Sequence, residues 1–231
     1  MKRIFLLAIT CVFLLSLSAN AQQGKWIGTV KYKLTYDGAV SPQAPSEFEV
    51  KVYENKAKFT DMFASGATVI ANAAAKTLTM MWDFSQVPVD GVNGKWYMRE
   101  KVADSVIAKT TYTFTGNTKQ LAGKNVKEVV SVSKNDDGTE EKETIWACDE
   151  IGPTMNLFFY TGLKAMPFEF KVEMKEAGIT INFTASEVID GKVKDTDLML
   201  ESDYEEQSQE EIEEIFNALI KAMGGGGEDD I

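Results

Sequence analysis

The sequence predicts a mainly β protein in which one large, curved antiparallel sheet carries a short lid helix and a C-terminal amphipathic helix. Three observations support this fold class. Apolar and polar residues alternate along many short segments, turn-forming sequences separate most of them, and one stretch near the C terminus has helical spacing. Nine or ten short strands with tight turns leave little room for parallel crossovers. We therefore expect one large, curved antiparallel sheet, which must either close on itself or be covered.

The first half of the chain contains the clearest long strand. Trp26, Val30 and Tyr36 share one parity with other apolar residues, whereas Lys31 and Lys33 occupy the opposite parity, as in a half-buried strand. Other segments of the first half with strand character are residues 47–52, 56–62, 68–71, 77–83 and 95–100.

Two hairpins are predicted in the second half. Residues 126–133 and 141–147 flank an Asn-Asp-Asp-Gly turn at residues 135–138. Residues 168–174 and 179–185 alternate on either side of Glu-Ala-Gly at residues 176–178, so turn and register agree.

Two helices can cover the sheet. Residues 152–160 begin with Gly-Pro, continue with apolar residues and predict a short lid helix. A second helix starts near Gln209 and ends at Gly224. The apolar residues that share one face of this helix are Ile212, Ile215, Phe216, Leu219, Ile220 and Met223. The predicted divisions of the chain are a β domain over 22–206, this helix over 207–223 and a disordered tail over 224–231.

The N terminus has the features of a cleavable export signal. Lys2 and Arg3 precede an apolar run of residues 4–17, and small residues follow at 18–21. The run is shorter than the roughly 20 residues of a membrane-spanning helix. We expect cleavage after Ala21 and a periplasmic or secreted mature chain, with a short membrane anchor as the alternative.

Neither cysteine predicts a disulfide or a lipid anchor. Thr10 is a poor residue to precede a lipidated cysteine, so Cys11 is interpreted as part of the export signal. Cys148 is then alone in the mature chain, and no intramolecular disulfide is expected. An inert thiol is favoured over a nucleophile.

The charge balance disfavours two classes of partner. The chain has 24 Lys and Arg against 35 Asp and Glu, and removal of Lys2 and Arg3 makes the net charge still more negative than −11. Nucleic acids and anionic membrane surfaces require clustered cations, which this balance does not supply. No integral membrane segment is predicted in the mature chain.

The residues needed for common catalytic chemistry are missing from the sequence. It contains no histidine, which removes the usual general base and histidine-based zinc sites. No nucleotide-binding glycine motif is present. No catalytic residue, metal ligand or cofactor is therefore predicted. A hydrolase would need a pair of carboxylates inside a cleft, which only the fold can bring together.

Aromatic and methionine residues form the one unusual pattern. Most of them are expected in an ordinary core, but adaptable apolar side chains on the concave face of a curved sheet can also line a pocket. The candidate lining residues are Met80, Trp82, Trp96, Met98, Phe158, Phe159, Phe168 and Phe170.

Several stretches resemble a family of uncharacterised Bacteroidetes envelope proteins with a lipoprotein-carrier-like half-barrel fold. The matching stretches are residues 53–59, 77–81, 119–126 and 145–151, the last continuing towards 161–163. Residues 164–166 depart from the Gly-Leu-Pro-Gly-Leu-Ile signature of related proteins, so the resemblance is to the broader family. It implies a half-barrel in the envelope that holds lipid, and it implies no catalytic residue.

Together these observations predict an exported, non-enzymatic binding protein that holds an apolar or lipid-like ligand on the concave face of its sheet. The alternative is an envelope structural or interaction protein with a fully packed core and no small-molecule ligand.

Overall fold

The computed structural model describes residues 26–60, 67–89, 92–135, 137–152 and 160–222. The export signal, most of the predicted lid helix and the C-terminal tail lie outside these residues. The described strands are β1 (Ile27–Asp37), β2 (Glu47–Tyr53), β3 (Lys56–Thr60), β4 (Thr68–Asn72), β5 (Thr77–Asp83), β6 (Lys95–Lys101), β7 (Thr110–Leu121), β8 (Lys124–Lys134), β9 (Glu140–Cys148), β10 (Met166–Met174), β11 (Ile179–Asp190) and β12 (Glu205–Glu206). The described α-helices are α1 (Asp104–Ile107) and α2 (Gln209–Ala222), with 3₁₀ turns at Lys175–Ala177 and Asp195–Leu198.

These strands form one open sheet in the order β12, β6, β5, β4, β3, β2, β1, β11, β10, β9, β8, β7. All neighbours are antiparallel except β12, which pairs with β6 in parallel. The predicted mainly β class, with a large antiparallel sheet and a C-terminal helix, is confirmed. The predicted count of nine or ten strands was too low, because β7 and β12 were not foreseen.

The middle of the sheet is strongly curved around aromatic side chains. The hydroxyl of Tyr32 on β1 donates to the carbonyl of Pro167 on β10 at 2.8 Å, although β11 lies between these strands. In a flat sheet, strands two positions apart are about 10 Å from each other, too far for this contact. Pro167 lies at an irregularity in the pairing of β10 with β9, which accommodates its missing N–H.

The main core fills the space inside this curve. The rings of Phe170 and Phe183 stack with their centroids 4.5 Å apart, and Phe48 contacts Phe183 at 5.7 Å. These side chains are buried, as are the apolar residues of β1, β2, β8 and β9 that share their face. The segment between β9 and β10 adds Ile151 and Leu163 to the same core.

A first prediction concerns this core. Phe183 is fully buried, so Phe183→Ala should lower the free energy of unfolding by about 3–5 kcal/mol through lost burial and a residual cavity. Phe114 on β7 is 43% exposed, and Phe114→Ala should change it by about 0.5 kcal/mol or less. Urea unfolding of both variants measures the difference. Equal losses in the two variants would contradict this assignment of the core.

Candidate functional site

Four of the predicted lining residues meet on one face of β5 and β6. Met80 is paired with Met98, and Trp82 is paired with Trp96, so all four side chains share a face. Phe84 extends this surface, with its ring 5.9 Å from that of Trp96. We call these five residues the Met–Trp cluster. Trp82 is buried, whereas the other four are half-buried.

A glycine fixes the position of one indole in the cluster. A Cβ added to Gly94 would lie 2.4 Å from Cζ2 of Trp96, far inside van der Waals contact. The ring of Trp96 therefore folds back over the backbone just before its own strand. A larger residue at position 94 would push the indole off the cluster.

Helix α2 covers the Met–Trp cluster. The ring of Phe216 lies 5.8 Å from the rings of both Trp82 and Phe84, in edge-to-face orientation. Ile212 is buried against Trp82, and Ile215 packs beside it. The predicted apolar face of the helix is therefore used here, although Ile220 from the same predicted face is 49% exposed.

Local interactions determine where α2 begins. The Ser208 hydroxyl accepts from the Glu211 N–H at 3.2 Å, and the Glu211 carboxylate accepts from the Ser208 N–H at 2.7 Å, which forms a capping box. The Ser208 N–H and hydroxyl both donate to the Glu211 carboxylate and hold its pKa below the usual value. Just before the helix, the edge strand β12 pairs with β6, and the Gln207 N–H donates to the Tyr97 carbonyl. The chain is therefore tied to β6 immediately before it turns over the cluster.

Large side chains fill the space between α2 and the strands beneath it. A cleft of about 390 Å³ opens between β6 and the start of α2, and Met98 lines it. The other lining residues are Arg99, Glu100, Glu206, Gln207, Ser208 and Gln209. The Met–Trp cluster thus adjoins an opening to solvent.

A polar atom is buried in this apolar region without a partner. Among the described residues, none accepts a hydrogen bond from Nε1 of Trp82, although the side chain is only 4% exposed. Nearly all buried donors in folded proteins have an acceptor. The sheet and α2 therefore leave one hydrogen-bonding group of the cluster unsatisfied.

The remaining predicted lining residues do not belong to the cluster. Phe168 and Phe170 lie in the main core, where both are buried against protein side chains. Phe158 and Phe159 lie outside the described residues. The predicted set therefore does not form one continuous surface among the described residues. Phe84, Ile212, Ile215 and Phe216 were not predicted as lining residues. The helical spacing of the last three is present in the sequence.

A second candidate site is a cleft of about 590 Å³ between β9 and β10. The two strands pair only from Cys148 to Trp146, opposite Met166 to Glu169, and then separate. The cleft lies where the separated strands carry several charged side chains. Its lining residues are Ser133, Glu141, Lys142, Glu143, Tyr160, Lys171, Val172, Glu173 and Lys175.

Two side chains replace the hydrogen bonds that the separated strands lose. The Glu143 carboxylate accepts from the backbone N–H of Lys171 and from the Tyr160 hydroxyl, whose oxygen lies 3.1 Å from Oε1. The same hydroxyl lies 3.3 Å from the Lys171 carbonyl oxygen. Both backbone groups of Lys171 therefore contact side chains in place of β9. The half-buried carboxyl group of Glu143 therefore has a structural role, since it links the two separated strands.

The glutamates of this cleft have different electrostatic environments. Burial raises the pKa of Glu143 above its usual value, although hydrogen bonds and Lys171 oppose the shift. Lys175 lies 2.7 Å from Glu141 and lowers the pKa of that carboxylate. Lys171 does the same for Glu173. Burial also raises the pKa of the Tyr160 hydroxyl, which remains protonated at neutral pH.

The described residues provide no further candidate for a nucleophile or a metal site. Cys148 is buried, and burial raises the pKa of its thiol, which disfavours a reactive thiolate. Among the described residues, no group of three or more aspartate, glutamate or cysteine side chains is placed to hold a metal ion. No helix in the described part of the chain is both long enough and apolar enough to cross a membrane.

Comparisons with known proteins show likeness in fold only. No protein-family model matches the chain, and no curated protein matches it. Among solved structures, the chain is similar to PNGF-II in the C2 space group, with 12% sequence identity and a TM-score of 0.53. The alignment covers 84% of this chain and 33% of that one. PNGF-II in the P21 space group gives 13% identity and a TM-score of 0.49, covering 84% and 34%. The chain thus spans about a third of the PNGF-II length.

A second prediction follows from Glu143. Because the native state holds this proton more tightly than the unfolded chain does, ionisation of Glu143 should reduce stability as pH rises from about 4.5 through its raised pKa. Glu143→Gln removes this loss. The free energy of unfolding of the variant, relative to wild type, should therefore rise with pH across that interval and then level off.

The control for this prediction is Glu141→Gln. The pKa of Glu141 is lowered, so its contribution to stability is present above its usual pKa and is lost as pH falls through the lowered value. Relative to wild type, Glu141→Gln should therefore become less stable as pH rises. Urea unfolding at a series of pH values measures both profiles. Parallel profiles for the two variants would show that burial does not govern Glu143.

Proposed function

We propose that the mature chain is an exported, non-enzymatic binding protein that holds an apolar or lipid-like molecule in the Met–Trp cluster beneath α2. The observation that carries this proposal is the position of the helix. It covers five large apolar side chains, and four of them remain only half-buried beneath it. An apolar molecule that enters from the cleft beside Met98 would bury this remaining surface.

The chemistry of the cluster suits such a ligand. Burial of apolar surface contributes about 25 cal/mol per Å², so even a modest acyl chain gains several kcal/mol from a site of this kind. Met80 and Met98 have flexible, polarisable side chains that adapt to ligands of different shape. Trp82 and Trp96 supply large, rigid apolar faces.

The proposed ligand site occupies only part of the concave face that the sequence predicts as a pocket. Phe168 and Phe170 are buried in a core that protein side chains already fill, which favours a packed interior in the middle of the sheet. The half-buried residues are those at the β5–β6 end. We therefore assign the ligand to that end alone.

A second candidate function is that of an envelope interaction protein without a small ligand. The outward face of α2 favours it, because Glu210, Glu213 and Glu214 are exposed there together with Ile220. In that case the helix would bind a protein partner through its acidic face while its apolar face stays closed on the sheet. Both candidate functions are compatible with export and with the resemblance to envelope proteins.

The third prediction separates the two functions. Nile red, an uncharged apolar dye, should bind the wild-type protein saturably at one site, with an increase in fluorescence. Met98→Lys places an ammonium group in the Met–Trp cluster and should weaken this binding at least about tenfold, because a charge is costly to bury. Met199→Lys introduces the same charge at a side chain that is 54% exposed and should leave binding unchanged.

Native mass spectrometry of the protein as purified provides an independent readout. A co-purifying apolar molecule lost in Met98→Lys but retained in Met199→Lys would support the proposal. Absence of saturable Nile red binding, or equal binding by all three proteins, would favour the interaction protein.

A further inference from the structure

We infer that the ligand of the Met–Trp cluster carries an uncharged oxygen acceptor, such as an ester, amide or ketone carbonyl, that accepts a hydrogen bond from Nε1 of Trp82. This inference rests on the proposed function and specifies the chemical class of the ligand. Its basis is the unsatisfied donor of Trp82 together with the distribution of charge around the cluster.

Several other buried or half-buried donors of the sheet have acceptors. Nε1 of Trp26 donates to an oxygen of Asp190 at 2.7 Å. The hydroxyls of Tyr32, Tyr112 and Tyr160 also have acceptors. Nε1 of Trp82 has none within the described part of the chain, although it lies in a region where water is largely excluded. A ligand that supplies an acceptor removes the penalty of this unmade bond.

The indole of Trp82 lies within the Met–Trp cluster. Its ring touches Phe216 of α2 on one side, and its backbone pairs with Trp96 within the sheet. Ala67 and Ile212 pack around it, and neither side chain has an oxygen or nitrogen atom to accept the bond. Because the described residues place no acceptor at Nε1, a bound molecule that reaches it can supply one.

The charges around the cluster favour an uncharged acceptor over a carboxylate. The Met–Trp cluster itself carries no charged side chain, and the apolar residues Ala67, Ile212, Ile215 and Phe216 pack on it. At the neighbouring cleft, Arg99 is accompanied by Glu100 and Glu206, so the opening has an excess of negative charge. The Arg99 guanidinium is already engaged, with Nε 3.3 Å from the Thr79 hydroxyl and its plane beside the Tyr97 ring. A carboxylate would be buried without a cation, which is costly.

The test compares three probes of similar size: methyl octanoate, octane and octanoate at pH 8. Each is titrated into ¹⁵N-labelled full-length mature protein, and the indole N–H signals are followed by NMR while Nile red displacement gives the affinities. The Trp82 signal is assigned by its loss in Trp82→Phe. We expect methyl octanoate to shift this signal downfield and octane to leave it nearly unchanged. We also expect octanoate to bind at least about tenfold more weakly than the ester.

Two variants separate the hydrogen bond from the apolar contact. Trp82→Phe keeps an aromatic ring but removes the donor, so the preference for methyl octanoate over octane should fall by about three- to tenfold. Trp96→Phe reduces apolar contact in the same cluster without touching that donor. Both affinities should then fall together, and the preference should be retained.

The possible failures are distinguishable. If octane and methyl octanoate bind equally and the Trp82 signal does not move, the inference is wrong while the proposed function stands. If octanoate binds as tightly as the ester, the requirement for an uncharged acceptor is wrong. If no probe displaces Nile red and Nile red itself does not bind, the proposed function fails and the inference fails with it.

Discussion

The need to cover the apolar face of an open sheet underlies the rest of this structure. The sheet presents a long apolar face that must be shielded from water, and its two edges, β12 and β7, do not meet to enclose it. In the middle, the sheet curves until aromatic side chains from strands two positions apart touch one another. Burial of the face by curvature requires close packing of these rings and leaves little space for a ligand among them.

At the β5–β6 end the same face is covered by a helix from elsewhere in the chain. Side chains of α2 pack on the Met–Trp cluster, yet four of its five residues stay half-buried. The half-buried methionines, the adjoining cleft and the unsatisfied indole all occur at this end. At the other end, where β9 and β10 separate, Glu143 and Tyr160 close the gap with hydrogen bonds instead. Incomplete burial and an unsatisfied hydrogen-bond donor therefore occur together beneath α2.

Local sequence pattern predicted much of the sheet. The strand expected over 26–36 is observed as Ile27–Asp37, and the hairpin expected around 176–178 turns at Gly178 with a positive φ of 62°. Strand β7 was not predicted; most of Thr110–Leu121 is exposed, and its half-buried residues lie only towards the two ends. Strand β12 has only two residues, and its pairing with β6 depends on a contact that is distant in sequence. Local propensity carries no information about such a contact.

The candidate site was only partly predictable for the same reason. The strand expected over 77–83 contained the candidate lining residues Met80 and Trp82, and helical spacing placed Ile212 and Phe216 on one face of α2. Nothing in either pattern showed that these two faces meet. Phe168 and Phe170 have the same residue type and alternation as a pocket wall, yet they lie in the packed core. Apolar residues of core and site differ only in how completely other elements cover them.

If α2 is a cover, it should open independently of the sheet, and backbone hydrogen exchange measures this directly. Amides of Gln209–Ala222 should exchange through local opening, with a lower opening free energy than those of Ile27–Asp37 in the middle of the sheet. Nile red should slow exchange in the helix while leaving the central strand unchanged. If helix and strand exchange with the same opening free energy, and neither responds to the dye, then α2 is an integral part of the core and the account is wrong.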